Sequence, residues 1–325
     1  LKAFVTGATG FIGSHLVELL HGKGYKVICL VRRTSSQRWI QHLELQKVEG
    51  DLDNVEALRA GMQGCELVFH ISGLLKANRP KDYLHVNYYG TRNVLQAACS
   101  VGSLRRFVYL SSLAAVGPTP TAQPVDENTP CQPISWYGKS KLMGELEVIK
   151  MSSHLPVTII RPPIVYGPRD TGIYNIFRIA AVGLCLSIGG PIQLSLIYID
   201  DLLEGILKAV QSDRAIGQVY FMTQEPPIRS DRLMQHMLGI LKPRTKIHLR
   251  IPLWVGSALM DFSQSLCDLS GRTTYFNRDK AKEIKPRRWT CSSQKARHQL
   301  GFQTSVTLED GLRNTVMWYK KEGWL

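Results

Sequence analysis

The chain has 325 residues, of which 44% are hydrophobic and 20% charged; these are ordinary values for a soluble globular protein of two lobes or one large α/β unit. The most apolar run, IAAVGLCLSIGG, is too short for a membrane span of about 20 residues, and seven cysteines without a CxxC pair favour free thiols in a reducing compartment over disulfides or a zinc site. The net charge is +14, with 13 Lys/Arg against 4 Asp/Glu in residues 242–300; no nucleic-acid motif accompanies it, so a solvated face or an anionic substrate or lipid surface is expected instead.

The chain opens with a strand-like LKAFVTG and no signal-peptide pattern. Apolar runs AFVT, KVICLV, LQKVEG, LVFHIS, RFVYLSS and VTIIRP then alternate with amphipathic segments such as FIGSHLVELLHGKG, where Ile12, Leu16, Leu19 and Leu20 share a face and Gly24 marks a stop. Near-continuous apolar strands imply a parallel sheet covered by helices on both faces. The expected fold is therefore α/β, a Rossmann-type doubly wound parallel sheet over residues 1–165. Residues 166–325 are expected to form a smaller, mostly helical substrate lobe, with some segments returning to the sheet. Within it, helices are predicted at Tyr174–Cys185, from Asp200 as N-cap, and around Asp231–Leu241, Leu253–Leu269, Ser292–Leu300 and Leu308–Glu322. Strands are predicted near Leu196–Ile199 and at QVYFMT. The Pro-rich stretch Gly117–Pro133 reads as a functional lid or rim. Trp254, Ala258, Phe262 and Leu266, at four-residue spacing, read first as a packing face and otherwise as a membrane contact or hydrophobic wall.

Gly7, Gly10 and Gly13 lie between the first strand and first helix in the spacing GxxGxxG. Such a loop turns tightly and lets the helix N-terminus approach a pyrophosphate, which predicts a dinucleotide site. No GxxxxGK[ST] occurs, so an ATP or GTP loop is not supported. The second strand ends where this unit meets the adenosine ribose, and an acidic residue there selects NAD. Here Arg32 and Arg33 stand there, followed by Thr34, Ser35 and Ser36. Forked guanidinium donors suit a 2′-phosphate, so NADP(H) is favoured, with NAD(H) the second choice; an exposed strand end is the plainer reading.

The fifth strand delivers Ser111 and Ser112 to the carboxyl edge of the sheet. Tyr137 and Lys141 follow in SWYGKSKLMGE at i, i+4, which puts phenol and ammonium on one helical face. A nearby cation lowers a tyrosine pKa, and a tuned phenol can move a proton to or from a substrate oxygen. Together with the glycine loop, this set predicts hydride-transfer chemistry and no metal.

With these motifs in place, the sequence resembles the extended short-chain dehydrogenase/reductases of the NAD-dependent epimerase/dehydratase type. The matching segments TGATGFIG, GDLDN, VFHISG, NYYGTRNVLQAA, YLSS, YGKSK, RPPIVYGP and YIDDL cover essentially the whole chain. The resemblance implies that Tyr137 is the catalytic acid/base, that Lys141 binds the nicotinamide ribose and tunes it, and that Ser112 orients the reacting oxygen. It implies that Thr9, Phe11 and Ile12 join the three glycines around the cofactor, with Asp51 and Leu52 against adenine. Ile71, Ser72 and Gly73 would line the cofactor path, and Pro162 to Val165 would flank the nicotinamide. Asn87 would support the active-site loop. A homodimer through a helix pair is typical of such chains.

Departures narrow the expectation. Sugar-nucleotide dehydratases carry an Asp-Glu pair after the strand-five serine or threonine, whereas Leu113, Ala114 and Ala115 follow Ser112. Many sugar-nucleotide epimerases carry Arg-Asp-Phe before the YxDD helix, whereas Leu194, Ser195 and Leu196 stand here. The chain is closer to dihydroflavonol reductases and 3β-hydroxysteroid dehydrogenases, a group that the segment from Ser270 to Phe302 also suits. The expected activity is NADP(H)-dependent interconversion of a ketone and a secondary alcohol on a hydrophobic small molecule; an NAD-dependent nucleotide-sugar epimerase is the alternative. A cytoplasmic location is expected, and the basic late segment motivates a peripheral contact with an anionic membrane.

Overall fold

The computed structural model describes residues 1–102, 104–270 and 278–325, without the side chains of 266–270. The apolar runs of the first half become β1 (Lys2–Thr6), β2 (Lys26–Val31), β3 (Gln46–Glu49), β4 (Leu67–His70), β5 (Arg106–Leu110) and β6 (Val157–Arg161). Helices α1 (Phe11–Gly22), α2 (Val55–Met62), α3 (Pro80–Leu84), α4 (Gly90–Ala98) and α5 (Trp136–Lys150) run between them. A π-helical turn, His85–Tyr89, joins α3 to α4. Every residue of β4, β5 and β6 is buried, as strands covered on both faces must be. Leu16, Val17 and Leu20 of α1 pack against one side of the sheet.

Past β6 come β7 (Ile164–Tyr166), α6 (Tyr174–Ala181), β8 (Leu184–Ile188), β9 (Gln193–Tyr198), α7 (Ile199–Gln211) and β10 (Gln218–Phe221). The last of these returns beside β6, giving the order β3-β2-β1-β4-β5-β6-β10, with every pairing parallel. The winding direction reverses between β1 and β4. That reversal opens a crevice at their carboxyl ends, where doubly wound sheets hold ligands. The predicted Rossmann-type fold is the observed one.

The remaining elements are β11 (Gln224–Arg229), α8 (Ser230–Leu241), β12 (Ile247–Ile251), α9 (Leu253–Ser270), α10 (Arg278–Ile284), β13 (Arg288–Trp289), α11 (Gln294–Leu300) and α12 (Leu308–Lys321). They are mostly helical but include strands of two small sheets: β9 pairs with β7, β11 and β13, and β8 pairs with β12.

Several expectations change here. The helix read over Tyr174–Cys185 ends at Ala181: Gly183 takes φ +78° and presses against the Thr245 carbonyl, and Leu184 starts a strand. Asp200 is not an N-cap, since α7 begins at Ile199. Its neighbour Asp201 is the anchoring residue, accepting from the Ser305 backbone N–H at 2.8 Å and from Ser305 Oγ at 3.0 Å. The loop Gly117–Pro133 is tied to β13 and the residue after it. Thr119 N–H donates to the Arg288 carbonyl and Val125 N–H to the Thr290 carbonyl, each at 3.0 Å. Trp254, Ala258 and Phe262 do not form a packing face within the chain, for all three are exposed. The side chain of Leu266 and residues 271–277 lie outside the described residues.

Candidate active site

The chain leaves β1 at Thr6 and enters α1 at Phe11. Gly7 sits at φ +73°, and the Gly10 N–H donates to its carbonyl at 3.0 Å. A Cβ at Gly13 would stand 2.0 Å from that same oxygen, so α1 can press on the turn only with glycine there. Gly10 occupies the N-cap position without a side-chain cap, and the first helical turn holds no acidic residue. Its N–H groups are thus left for an anion, while Thr9, Phe11 and Ile12 keep part of their surface exposed. This cradle fits a dinucleotide pyrophosphate.

The loop after β4 meets the cradle at the sheet's reversal point: a Cβ on Gly7 would lie 2.7 Å from the Ser72 nitrogen. Ser72 N–H donates to Thr6 Oγ1 at 3.3 Å. Thr6 Oγ1 is 2.8 Å from His70 Nδ1, and His70 Nε2 is 3.0 Å from Thr91 Oγ1, which itself donates to the Asn87 carbonyl at 2.8 Å. One proton arrangement satisfies the whole chain: Thr6 donates to Nδ1, and Nε2–H donates to Thr91. Burial pushes the His70 imidazole down to about 3, so it remains a neutral link and not a proton donor to substrate. Asn87, inside the π-helical turn, accepts from Leu74 N–H at 2.7 Å and donates to the Leu74 carbonyl at 3.0 Å and Ser140 Oγ at 2.8 Å. Its amide therefore holds the segment after Ile71–Gly73 against α5.

At the end of β2, Arg32 and Arg33 are both exposed. Arg32 Nε donates to Ser35 Oγ at 3.3 Å, and the Ser35 N–H closes a turn on the Arg32 carbonyl at 2.9 Å. Asp51 accepts from the N–H groups of Asp53 and Asn54 at 3.0 and 3.2 Å, shaping the turn into α2. Leu52 packs where Gly90 has no side chain; a Cβ there would be 2.7 Å from Leu52 Cδ1.

Ser112, Tyr137 and Lys141 fall on neighbouring segments because α5 lies directly on the turn after β5. A Cβ at Gly138 would stand 2.2 Å from the Ala114 carbonyl oxygen, so glycine at this position permits the contact. Ser112 opens the short helical turn Leu113–Ala115, its Oγ accepting from Ala114 N–H at 3.1 Å. Leu113 N–H donates to the Pro162 carbonyl at 2.9 Å, which draws in the turn after β6; Val165 follows in β7, paired with Ile197 of β9. Tyr137 is half-buried, its ring 6.4 Å from that of Tyr83. Lys141, one turn along, is buried, donates to the Leu110 carbonyl at 2.6 Å and lies 4.3 Å over the Tyr109 ring. Burial pushes its ammonium down to about 7, against the opposing pull of Glu145.

Three parts of this site carry no signal of their own in the motifs above. Glu145, fully buried, pairs with Arg161, with Nε at 3.1 Å, and accepts from Ser111 Oγ at 2.6 Å. It sits four residues after Lys141, a spacing that could have flagged it. Thr6 and His70 immediately precede two predicted segments and were legible only as strand residues. Asp279, from α10, accepts from the N–H groups of Trp136 at 2.7 Å and Tyr137 at 3.1 Å. It thereby complements Ser135, whose Oγ accepts from Gly138 N–H at 3.0 Å, and the two satisfy amides in the first turn of the tyrosine helix.

Sheet and glycine cradle define a dinucleotide-binding fold, with Ser112, Tyr137 and Lys141 on segments beside its crevice. Residues 3–221 match the model of the NAD dependent epimerase/dehydratase family, and the chain belongs to that family. Ceramide reductase of Caulobacter vibrioides is 31% identical over 99% of this chain and 95% of its own length. A putative dihydroflavonol 4-reductase of Synechocystis is 30% identical over 99% of this chain and 95% of that protein. In fold, UDP-glucose 4-epimerase of Thermotoga maritima superposes with a TM-score of 0.83 at 22% identity, covering 99% of each chain. The protein is an NAD(P)-dependent oxidoreductase of the extended short-chain dehydrogenase/reductase type.

Proposed function

We propose that the protein uses NADP(H) to interconvert a ketone and a secondary alcohol on a hydrophobic small molecule. The observation that carries this reading is a Ser112–Tyr137–Lys141 set beside a turn, Leu113–Ala115, that is buried and holds no carboxylate. In the reductive direction Tyr137 donates its phenolic proton to the carbonyl oxygen. Ser112 already accepts from Ala114 N–H, which leaves its hydroxyl proton to hold the same oxygen. Lys141 favours the tyrosinate that remains. When bound, NADPH supplies the hydride. Arg32 and Arg33 would hold its 2′-phosphate, Gly7 to Gly13 its pyrophosphate, Asp51 and Leu52 would border the adenine, and Ile71, Ser72, Gly73, Pro162 and Val165 would line its path.

Two relatives named for reduction of ceramide and of dihydroflavonol support an apolar ketone or its alcohol as substrate. Against the epimerase alternative stands Leu194, at the position where many epimerases place a phosphate-binding arginine. The next residue, Ser195, is buried, its Oγ accepting from Cys291 N–H at 3.0 Å. Exposed Tyr89, Met143, Leu146 and Ile149 support a homodimer across α5.

The test is NADPH consumption with a panel of long-chain 3-oxo, steroid and flavonoid ketones, run beside UDP-sugars. The proposal expects turnover with at least one ketone class. Tightly co-purified NAD, with conversion of a UDP-sugar and no ketone reduction, would replace it with the epimerase reading.

A further inference from the structure

Away from the crevice, β12 and α9 build a surface that the chemistry above does not use. Ile247 and Leu249 are 61% and 46% exposed and share one side of β12 by its two-residue alternation. After Pro252, α9 exposes Trp254 by 75%, Leu259 by 56% and Phe262 by 64%. Val182, 73% exposed, adjoins them, for Ile247 N–H donates to the carbonyl of the next residue, Gly183, at 2.8 Å. Gly256 of α9 rests on Ile188 at the end of β8, where a Cβ would be 2.4 Å from Cγ2. The buried side of α9 therefore packs on this strand pair, and its exposed side carries Trp254, Leu259 and Phe262 outward. Monomers rarely expose apolar patches of this kind without a partner.

Charge identifies the partner. Lys242, Arg244 and Lys246 are all exposed; no Asp or Glu occurs from residue 242 to residue 260, and the acid that follows, Asp261, is paired with Arg278. A second copy docked by twofold symmetry would bring this cationic group against itself. Anionic lipid headgroups complement it instead, while the boundary below them accepts Trp, Leu and Phe.

We infer that this face docks on an anionic lipid bilayer, with Trp254, Leu259 and Phe262 entering the headgroup–acyl boundary and Lys242, Arg244 and Lys246 on the lipid phosphates. Docking stands on the surface alone; its purpose, uptake of a poorly water-soluble substrate, rests on the functional reading above. The face is also tied to the active site. Arg278 of α10 pairs with Asp261 of α9 at 3.4 Å, and the next residue, Asp279, holds the start of the tyrosine helix.

The test is co-sedimentation of the full chain with vesicles of phosphatidylcholine alone and with added phosphatidylglycerol, at low and high salt. Wild type is expected to bind the anionic vesicles at low salt, and about tenfold or more weakly on neutral vesicles or at high salt. Trp254→Ser/Phe262→Ser and Lys242→Glu/Arg244→Glu should each weaken anionic binding about tenfold or more, with unchanged melting temperature and NADPH binding. Absence of wild-type binding overturns the inference, as does equal binding by both double variants. A Trp254→Ser/Phe262→Ser protein that alters only its oligomeric state would assign the face to a second copy. Vesicle binding without ketone reduction would refute the functional reading and leave docking standing.

Discussion

β5 and β12 are both five-residue strands, yet the chain treats them oppositely. All of β5 is buried, even Arg106, whereas the first four residues of β12 are exposed. The same contrast separates α1, whose Leu16, Val17 and Leu20 disappear into the core, from α9, whose Trp254 and Phe262 stand outside it. Four-residue apolar spacing states that a helix has one greasy side. It does not state what covers that side. In the first half the chain supplies the cover itself; along α9, Trp254 and Phe262 stay exposed.

Three perturbations sharpen this contrast between a self-contained cofactor half and an outward-looking lobe that still reaches the site. The largest effect belongs to the cofactor half. Arg32→Asp should raise the KM for NADPH on the order of 10- to 100-fold, through lost charge-assisted bonds and new repulsion. The KM for NADH should move little; equal changes in both steady-state constants would return Arg32 to ordinary surface charge.

Next comes Asp279→Asn, which tests the lobe's reach. One amide oxygen replaces two carboxylate oxygens, leaving one of the Trp136 and Tyr137 N–H groups without its acceptor. We expect kcat to fall about five- to tenfold and its pH profile to shift, with NADPH affinity preserved. A loss confined to thermal stability would make Asp279 a plain interlobe fastener.

The smallest effect concerns the buried ammonium on α5. Lys141 has a folded-state value of about 7, below the 10.5 of a free lysine. Between those limits the unfolded chain holds a proton that the folded chain has released, so this group makes stability rise with pH across that window. Urea unfolding of the cofactor-free protein at pH 7 and pH 9 should show a gain that Lys141→Met lacks. An identical pH dependence in both proteins would place the ammonium in contact with water.

The sequence made most of the first half legible because each signal there is local. Six apolar runs, a seven-residue glycine spacing and a Tyr–Lys pair one turn apart need no knowledge of the rest of the chain. β11 escaped because QEPPIR carries two prolines, which fit an edge strand with an irregular register. β8 escaped because its apolar residues follow α6 without a polar break, and only Val182 and Gly183 separate the two. Asp279 lies 142 residues from Tyr137, and Thr6 lies 64 residues from His70. No window of sequence contains either pair; the fold alone brings them together.

The central claim is that Tyr137 transfers the proton while Ser112 holds the oxygen. The most direct measurement is single-turnover oxidation of NADPH by a reducible ketone, followed in wild type and Tyr137→Phe. The hydride-transfer rate is expected to fall on the order of 10²- to 10⁴-fold, with NADPH still bound at wild-type affinity. An unchanged rate in the phenylalanine variant would contradict it.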